Sequence, residues 1–147
     1  MSIFFPIPVI LASASPRRMD LLSWSGFQVQ QIVPNIHEQK KSTETSIEYT
    51  LRISHEKALT VKNKIQTDTW IIAADTIVVL GDTLLEKPMD HQDAKRMLKL
   101  LNGNTHYVYS SYCLLLGDTV FRGFEESQVM FCNVSDFEIE EYIKTGD

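Results

Sequence analysis

The strongest constraint on the fold is the run from Thr69 to Leu80, which is apolar and β-prone but carries one carboxylate, Asp75. Hydrophobic residues flank Asp75 on both sides, and such a run is typical of a buried strand. A carboxylate inside that strand is costly unless a partner or a metal ion stabilises it. The run therefore predicts a central strand on which Asp75 is a metal ligand or catalytic base, or else a structural carboxylate with a satisfied partner.

A second constraint lies near the N-terminus, where a short strand leads into a turn and a helix. The apolar run Val9-Ile10-Leu11 predicts the strand. Ser15 suits the N-cap position and Pro16 the first helical position, so the helix is expected to run from there to Gly26.

This turn has the chemistry of an anion site. The first N–H groups of a helix have no partner within it and lie at the positive end of its dipole, where phosphate binds well. Ser13 and Ser15 add hydroxyl donors, and Arg17 or Arg18 adds a planar fork suited to phosphate oxygens. The alternative is an ordinary capped helix with two surface arginines.

The remaining chain alternates helices and strands and then becomes rich in strands. The predicted elements are a strand over Phe27–Val33, a helix capped by Ser46 with Ile47, Leu51, Ala58 and Val61 on its apolar face, a hairpin at Gly81-Asp82, a helix capped by Asp90, strands over His106–Leu116 and Thr119–Cys132, and a helix begun by Ser135. This order predicts an α/β fold, with a mixed twisted sheet flanked by helices in a single domain over residues 1–147.

Composition narrows the function classes. The net charge of −5 argues against sequence-blind binding to nucleic acid. No apolar run approaches the roughly 20 residues of a membrane span, and no Lys or Arg precedes Arg17 as a signal peptide would require. Cys113 and Cys132 lack metal-ligand spacing and are predicted to be buried free thiols in a reducing cytoplasm.

Three further residues could join the two candidate sites. Glu38 could be a second carboxylate for Mg²⁺, which takes one or two carboxylates together with substrate phosphates. Lys57, within a predicted helix, and Lys87, within a predicted turn, could bind phosphate oxygens. Each lysine taken alone is better explained as a solvated side chain.

The motifs, taken in chain order, resemble those of the Maf family of nucleotide pyrophosphatases. The matching segments are Leu11–Arg18 with Leu21-Leu22, Glu38, His55–Ala58, Ala74–Thr76, Lys87-Pro88 with the helix that follows, and Val129–Gly146. The resemblance spans essentially the whole chain. It implies a Maf/ITPase-like fold and hydrolysis of a nucleoside triphosphate between its α- and β-phosphates, giving monophosphate and pyrophosphate.

The resemblance also implies roles for the candidate residues. Asp75 and Glu38 would hold Mg²⁺ or Mn²⁺, and either could orient the attacking water. Lys57 would act with them, and the substrate would be bound by Ser13, Ser15, Arg17, Arg18, Thr76 and Lys87. Ser-Pro-Arg-Arg with Ala-Asp-Thr resembles the dTTP/UTP branch of these house-cleaning enzymes, which have also been linked to septum formation.

The sequence departs from the family pattern at its C-terminal end. Family members continue beyond the position of Gly146 with a Lys-Ala-Gly segment and a glutamine-bearing Ile-Gln-Gly segment, so a site residue and part of the sheet are expected to be missing here. Thr is usual where this chain has Ser110. Two alternatives therefore stay open: a nucleotide-binding or regulatory protein without turnover, and a purely structural interaction domain. A homodimer is also possible.

Overall fold

The computed structural model describes residues 5–66 and 68–146, with side chains from residue 8. The strands are β1 (Phe5–Ala12), β2 (Phe27–Gln31), β3 (Trp70–Leu80), β4 (Thr83–Leu85), β5 (Thr105–Leu116) and β6 (Thr119–Met130), and the helices are α1 (Pro16–Trp24), α2 (Ser46–Lys62), α3 (His91–Leu101) and α4 (Asp136–Thr145). The predicted order of helices and strands is confirmed.

The strands form one mixed sheet in the order β2-β1-β3-β5-β6, with β4 paired to β3. β1 runs parallel to both β2 and β3, whereas β4 runs antiparallel to β3. Parallel neighbours need a long crossover; α1 lies between β1 and β2 in sequence, and α2 lies between β2 and β3. The predicted α/β class with a mixed sheet is therefore confirmed.

The chain divides into two compact units. The first holds the described residues up to Thr76 together with Ser110–Glu125. Its core is formed by small and branched residues of β1, β3, β5 and α2, namely Ile10, Ala12, Ala58, Val61, Ile71, Ala73, Cys113 and Leu115. Because these residues alternate along the strands, one face of the sheet is apolar and packs against α2.

Helix α2 begins one residue earlier than predicted, with Thr45 rather than Ser46 at the N-cap. The Thr45 hydroxyl accepts the Glu48 N–H, and the Glu48 carboxylate accepts the Thr45 N–H, which forms a capping box. The predicted apolar face is also partly wrong: Ala58 and Val61 are buried, but Ile47 and Leu51 are only half-buried. The buried face of the helix is instead completed by Tyr49, Thr50, Ile53, Ser54 and Lys57.

The second unit holds Ile77–Tyr109 and the described residues from Glu126 onward. Gly81, with φ of 58°, makes the predicted turn between β3 and β4. Asp90 caps α3 by accepting the Asp93 N–H, and Ser135 caps α4 within a capping box, so both predicted caps are confirmed.

Two strands end before the residue predicted from the sequence. β2 ends at Gln31 rather than Val33, and β6 ends at Met130 rather than Cys132. Cys132 therefore lies beyond the sheet and is exposed, so its predicted burial is wrong. Cys113 is a buried free thiol as predicted, and desolvation raises its pKa. Among the described residues no helix combines the length and hydrophobicity needed to cross a membrane.

Candidate active site

The site is built around Asp75, which is buried at 5% exposure on β3. Burial alternates along this strand, and Asp75 follows Ile71 and Ala73 on the buried side. Lys57 of α2 is also buried, at 8% exposure, and its Nζ donates to Asp75 Oδ1 at 2.8 Å. The partner that stabilises the buried Asp75 carboxylate is therefore the Lys57 ammonium, and the predicted role of Asp75 as a metal ligand or base stays a prediction.

Glu38 approaches the same ammonium from the irregular segment between β2 and α2. Its Oε1 lies 3.1 Å from Lys57 Nζ. The Glu38 side chain is 43% exposed, whereas that of Asp75 is 7% exposed. The structure thus brings together Glu38, Lys57 and Asp75, with one carboxylate buried and one open to solvent.

A hydroxyl pair holds the other oxygen of Asp75. Thr50 of α2 donates its hydroxyl proton to Asp75 Oδ2 at 3.0 Å. Ser111 of β5 lies behind it, with its Oγ 3.0 Å from Thr50 Oγ1 and 2.7 Å from the Thr50 carbonyl oxygen. Sequence reasoning missed both residues, because a hydroxyl within a helix or strand has no distinguishing local pattern.

The turn before α1 forms the second half of the site. Ser13 is buried and its hydroxyl accepts the Ser15 N–H at 3.1 Å. Ser15 is the N-cap residue of α1, but its side chain makes no capping hydrogen bond. The start of the helix is therefore organised by Ser13, and the Ser15 hydroxyl is not engaged in capping.

Arg18 connects this turn to the strand that carries Asp75. Its Nη1 donates to Ser13 Oγ at 3.2 Å and to the Ala74 carbonyl oxygen at 2.8 Å, and its Nη2 donates to Thr76 Oγ1 at 3.1 Å. Thr76 Oγ1 also lies 3.1 Å from Ser110 Oγ. Desolvation lowers the Arg18 pKa, and the charges of Asp75 and Glu38 oppose that shift.

Two of the predicted substrate-binding residues, Arg17 and Lys87, are exposed side chains. Arg17 is exposed on α1 and is not part of the Arg18 network. Lys87 is exposed and belongs to the second unit, between β4 and α3. Their predicted roles in binding substrate stay predictions.

The donor set fits a divalent cation that binds together with phosphate. Glu38 and Asp75 are hard oxygen donors, the kind of ligand that Mg²⁺ or Mn²⁺ prefers, and both lie against the Lys57 ammonium. The described residues contain no cluster of three His, Cys, Asp or Glu side chains able to hold a metal ion. Two carboxylates leave several coordination positions to be filled by phosphate oxygens and water.

Comparison with known proteins identifies a family and related sequences. The family model described as Maf-like protein matches residues 8–147. The dTTP/UTP pyrophosphatase of Shewanella frigidimarina is 40% identical over 146 residues, covering 94% of this chain and 74% of that protein. The enzyme of the same name from Pyrococcus furiosus is 43% identical over 139 residues, covering 95% and 72%. A third, from Clostridium botulinum, is 44% identical over 142 residues, covering 95% and 76%.

The family model matches nearly all of the chain, and the Shewanella and Pyrococcus relatives are 40% and 43% identical to it over almost its full length. Three of the segments that matched the family by motif are joined by hydrogen bonds in the first unit: the turn and start of α1, the Lys57 helix and the Ala74–Thr76 strand. The chain belongs to the Maf family of Maf-like proteins.

Proposed function

We propose that this chain hydrolyses dTTP- and UTP-type nucleoside triphosphates to the monophosphate and pyrophosphate, with Mg²⁺ or Mn²⁺. The observation that carries the proposal is the Lys57 ammonium between Glu38 and Asp75. The names of the relatives, dTTP/UTP pyrophosphatase, supply the nucleotide class.

The chain's own residues divide into cation ligands and phosphate ligands. Glu38 and Asp75 would hold the divalent cation, which when bound supplies Lewis-acid polarisation of the phosphoryl group. Lys57 and Arg18 offer positive charge to the phosphate oxygens, and Ser13 offers a hydroxyl at the start of α1. Arg17, Ser15, Thr76 and Lys87 complete the proposed set of substrate ligands.

The reaction needs one water molecule and one acceptor for its proton. The water oxygen attacks phosphorus, the anhydride bond between the α- and β-phosphates breaks, and pyrophosphate departs. Asp75 or Glu38 orients the water and accepts its proton. Glu38 is the more exposed carboxylate, so it has direct access to water, whereas Asp75 is fixed by Thr50 and Lys57.

The test is pyrophosphate release from a panel of nucleoside triphosphates, with Mg²⁺ and with Mn²⁺. Asp75→Asn preserves the shape of the side chain and removes its charge. Asp118→Asn is the matched control, because Asp118 is a fully exposed carboxylate that pairs with Lys62 at 3.3 Å. Turnover of dTTP and UTP by the wild type and the control, but not by Asp75→Asn, is expected. Equal turnover by all three proteins contradicts the proposal.

Three wider expectations from the sequence remain predictions: a single domain, a cytoplasmic location and a homodimer. Sedimentation analysis tests the homodimer, with a mass of twice the 16.8 kDa chain as the expected result.

A further inference from the structure

The chemistry of the groups fixes which hydroxyl donates to which acceptor in the Thr50 and Ser111 pair beside Asp75. A carboxylate can only accept, so the single hydroxyl proton of Thr50 goes to Asp75 Oδ2 over 3.0 Å. Ser111 then donates its own proton to Thr50, either to the carbonyl oxygen at 2.7 Å or to the hydroxyl oxygen at 3.0 Å. The order of donation is therefore Ser111, then Thr50, then Asp75.

These groups are shielded from water. Thr50 is 0% exposed, Ser111 2% and Asp75 5%. A lost hydrogen bond at such a depth is not replaced by bulk water, so the carboxylate would keep a bare oxygen. The three residues lie on α2, β5 and β3 respectively, so their contact joins three elements of the first unit.

The contact restricts how the Asp75 carboxylate can rotate. Thr50 holds Oδ2, while Lys57 holds Oδ1 at 2.8 Å. With both oxygens engaged, the plane of the carboxylate is fixed relative to α2. Oδ1 is thereby directed toward the point that Asp75 shares with Glu38.

Ser54 shows that a buried hydroxyl on α2 does not require such a partner. Ser54 is also 0% exposed and lies one turn further along the same helix. Its hydroxyl donates to the Leu51 carbonyl oxygen at 3.1 Å, within its own helix. The Thr50 hydroxyl could make the same kind of bond within its own helix, but it donates to Asp75 of β3 instead. The contact with Asp75 is therefore specific and not a general property of buried hydroxyls on α2.

We propose that Thr50 is a positioning residue for the Asp75 carboxylate and that Ser111, which contacts both oxygens of Thr50, supports it. This role rests on the proposed pyrophosphatase activity. Thr50 touches neither nucleotide nor metal; it acts through Asp75. Partners of this kind typically change metal affinity or activity by about 10- to 100-fold when they are removed.

The test compares Thr50→Val, which keeps the shape and removes the hydroxyl, with Thr50→Ser, which restores it, and with the control Ser54→Ala. The expected result for Thr50→Val is a kcat about 10- to 100-fold lower with a KM for dTTP within about threefold of wild type. Thr50→Ser is expected to recover kcat to within about threefold, and Ser54→Ala to stay within the same range. Thermal unfolding of each variant confirms that it is folded at the assay temperature, and Ser111→Ala replaces Thr50→Val if that variant does not fold.

A second readout does not depend on turnover. Mn²⁺ binding in the presence of dTTP is measured by electron paramagnetic resonance, and Thr50→Val is expected to weaken it about tenfold while Ser54→Ala leaves it unchanged. Unchanged Mn²⁺ affinity, a kcat no lower than that of Ser54→Ala, or no recovery in Thr50→Ser overturns the positioning role. If the wild type binds Mn²⁺ and dTTP but releases no pyrophosphate, the proposed function fails and the binding readout alone decides the role of Thr50. A wild type that neither binds nor hydrolyses overturns both.

Discussion

The Lys57 ammonium lies 2.8 Å from Asp75 Oδ1, and the same nitrogen lies 3.1 Å from Glu38 Oε1. A lysine thus occupies the point on which the two carboxylates converge. Like charges so close together in a partly buried site repel each other unless a cation separates them. Without metal the lysine provides that cation, and a divalent ion shared by the carboxylates would have to displace it from at least one of them.

Removing this ammonium should change metal binding and catalysis in opposite directions. Lys57→Met leaves two carboxylates without their cation, so Mn²⁺ binding in the absence of nucleotide should become at least about tenfold tighter. Pyrophosphate release should fall, because the cation offered to the phosphate is lost. Calorimetric titration with Mn²⁺ measures the first effect, with Lys64→Met on the protein surface as the control. Equal or weaker Mn²⁺ binding by Lys57→Met contradicts this account.

Substitution of Arg18 should lower kcat/KM far more than substitution of Arg17. Arg18 donates to Ser13, to the Ala74 carbonyl and to Thr76, whereas Arg17 is exposed. Lysine cannot reproduce a planar fork that serves several acceptors, so Arg18→Lys should lower kcat/KM at least about tenfold. Arg17→Lys, which keeps a mobile surface charge, should change it by less than about threefold. A larger loss for Arg17→Lys would show that Arg17 is the main phosphate ligand.

Acid should weaken the start of α2 through Glu44. The bidentate bond from Arg52, with 2.9 Å and 2.6 Å distances, lowers the pKa of Glu44 from 4.5 to about 2. A lowered carboxyl pKa stabilises the fold above pH 4.5, and that contribution is lost as the pH falls from 4.5 toward 2. Glu44→Gln should therefore cost about 1 kcal/mol at pH 7 and less at pH 3. Urea unfolding at both pH values measures this, and an equal cost at the two pH values contradicts it.

His106 should make the second unit sensitive to mild acid. It is 3% exposed and packs edge-on against Phe131 at 4.9 Å, and none of the residues that the structure describes forms a hydrogen bond with its Nδ1. Desolvation lowers its pKa below 6.5, so the neutral ring stabilises the fold above that pH and the contribution is lost as the pH falls toward the lowered pKa. His106→Leu should thus lose less stability between pH 7.5 and pH 5 than the wild type. Thermal unfolding at both pH values measures this for the wild type, His106→Leu and the exposed control His37→Gln. An equal loss of stability in all three proteins would contradict the prediction.

Local chemistry made part of this structure predictable. Asp90 and Ser135 sit three residues before acidic residues that open a helix, and each caps its helix as expected. Asp75 was predictable because nine apolar neighbours left a buried carboxylate that needed a partner. Such inferences depend only on residues close together in the chain.

Features that depend on tertiary packing were not predictable. Thr50 and Ser111 meet across 61 positions of sequence, and neither carries a signal of its own. Whether Arg17 or Arg18 reaches the strand that carries Asp75 depends on the direction in which each side chain points from α1. Successive residues of a helix point about 100° apart. Cys132 was misplaced because β6 ends two residues before it, although the sequence there stays apolar.

We propose that Asp75, held by Lys57 and Thr50, belongs to a site that cuts the triphosphate between its α- and β-phosphates. The most direct measurement is product analysis of dTTP incubated with Mn²⁺ and with the wild type, Asp75→Asn or Asp118→Asn. We expect dTMP and pyrophosphate in equal amounts from the wild type and Asp118→Asn, and a rate at least about 100-fold lower from Asp75→Asn. Release of orthophosphate instead of pyrophosphate, or an undiminished rate from Asp75→Asn, would contradict it.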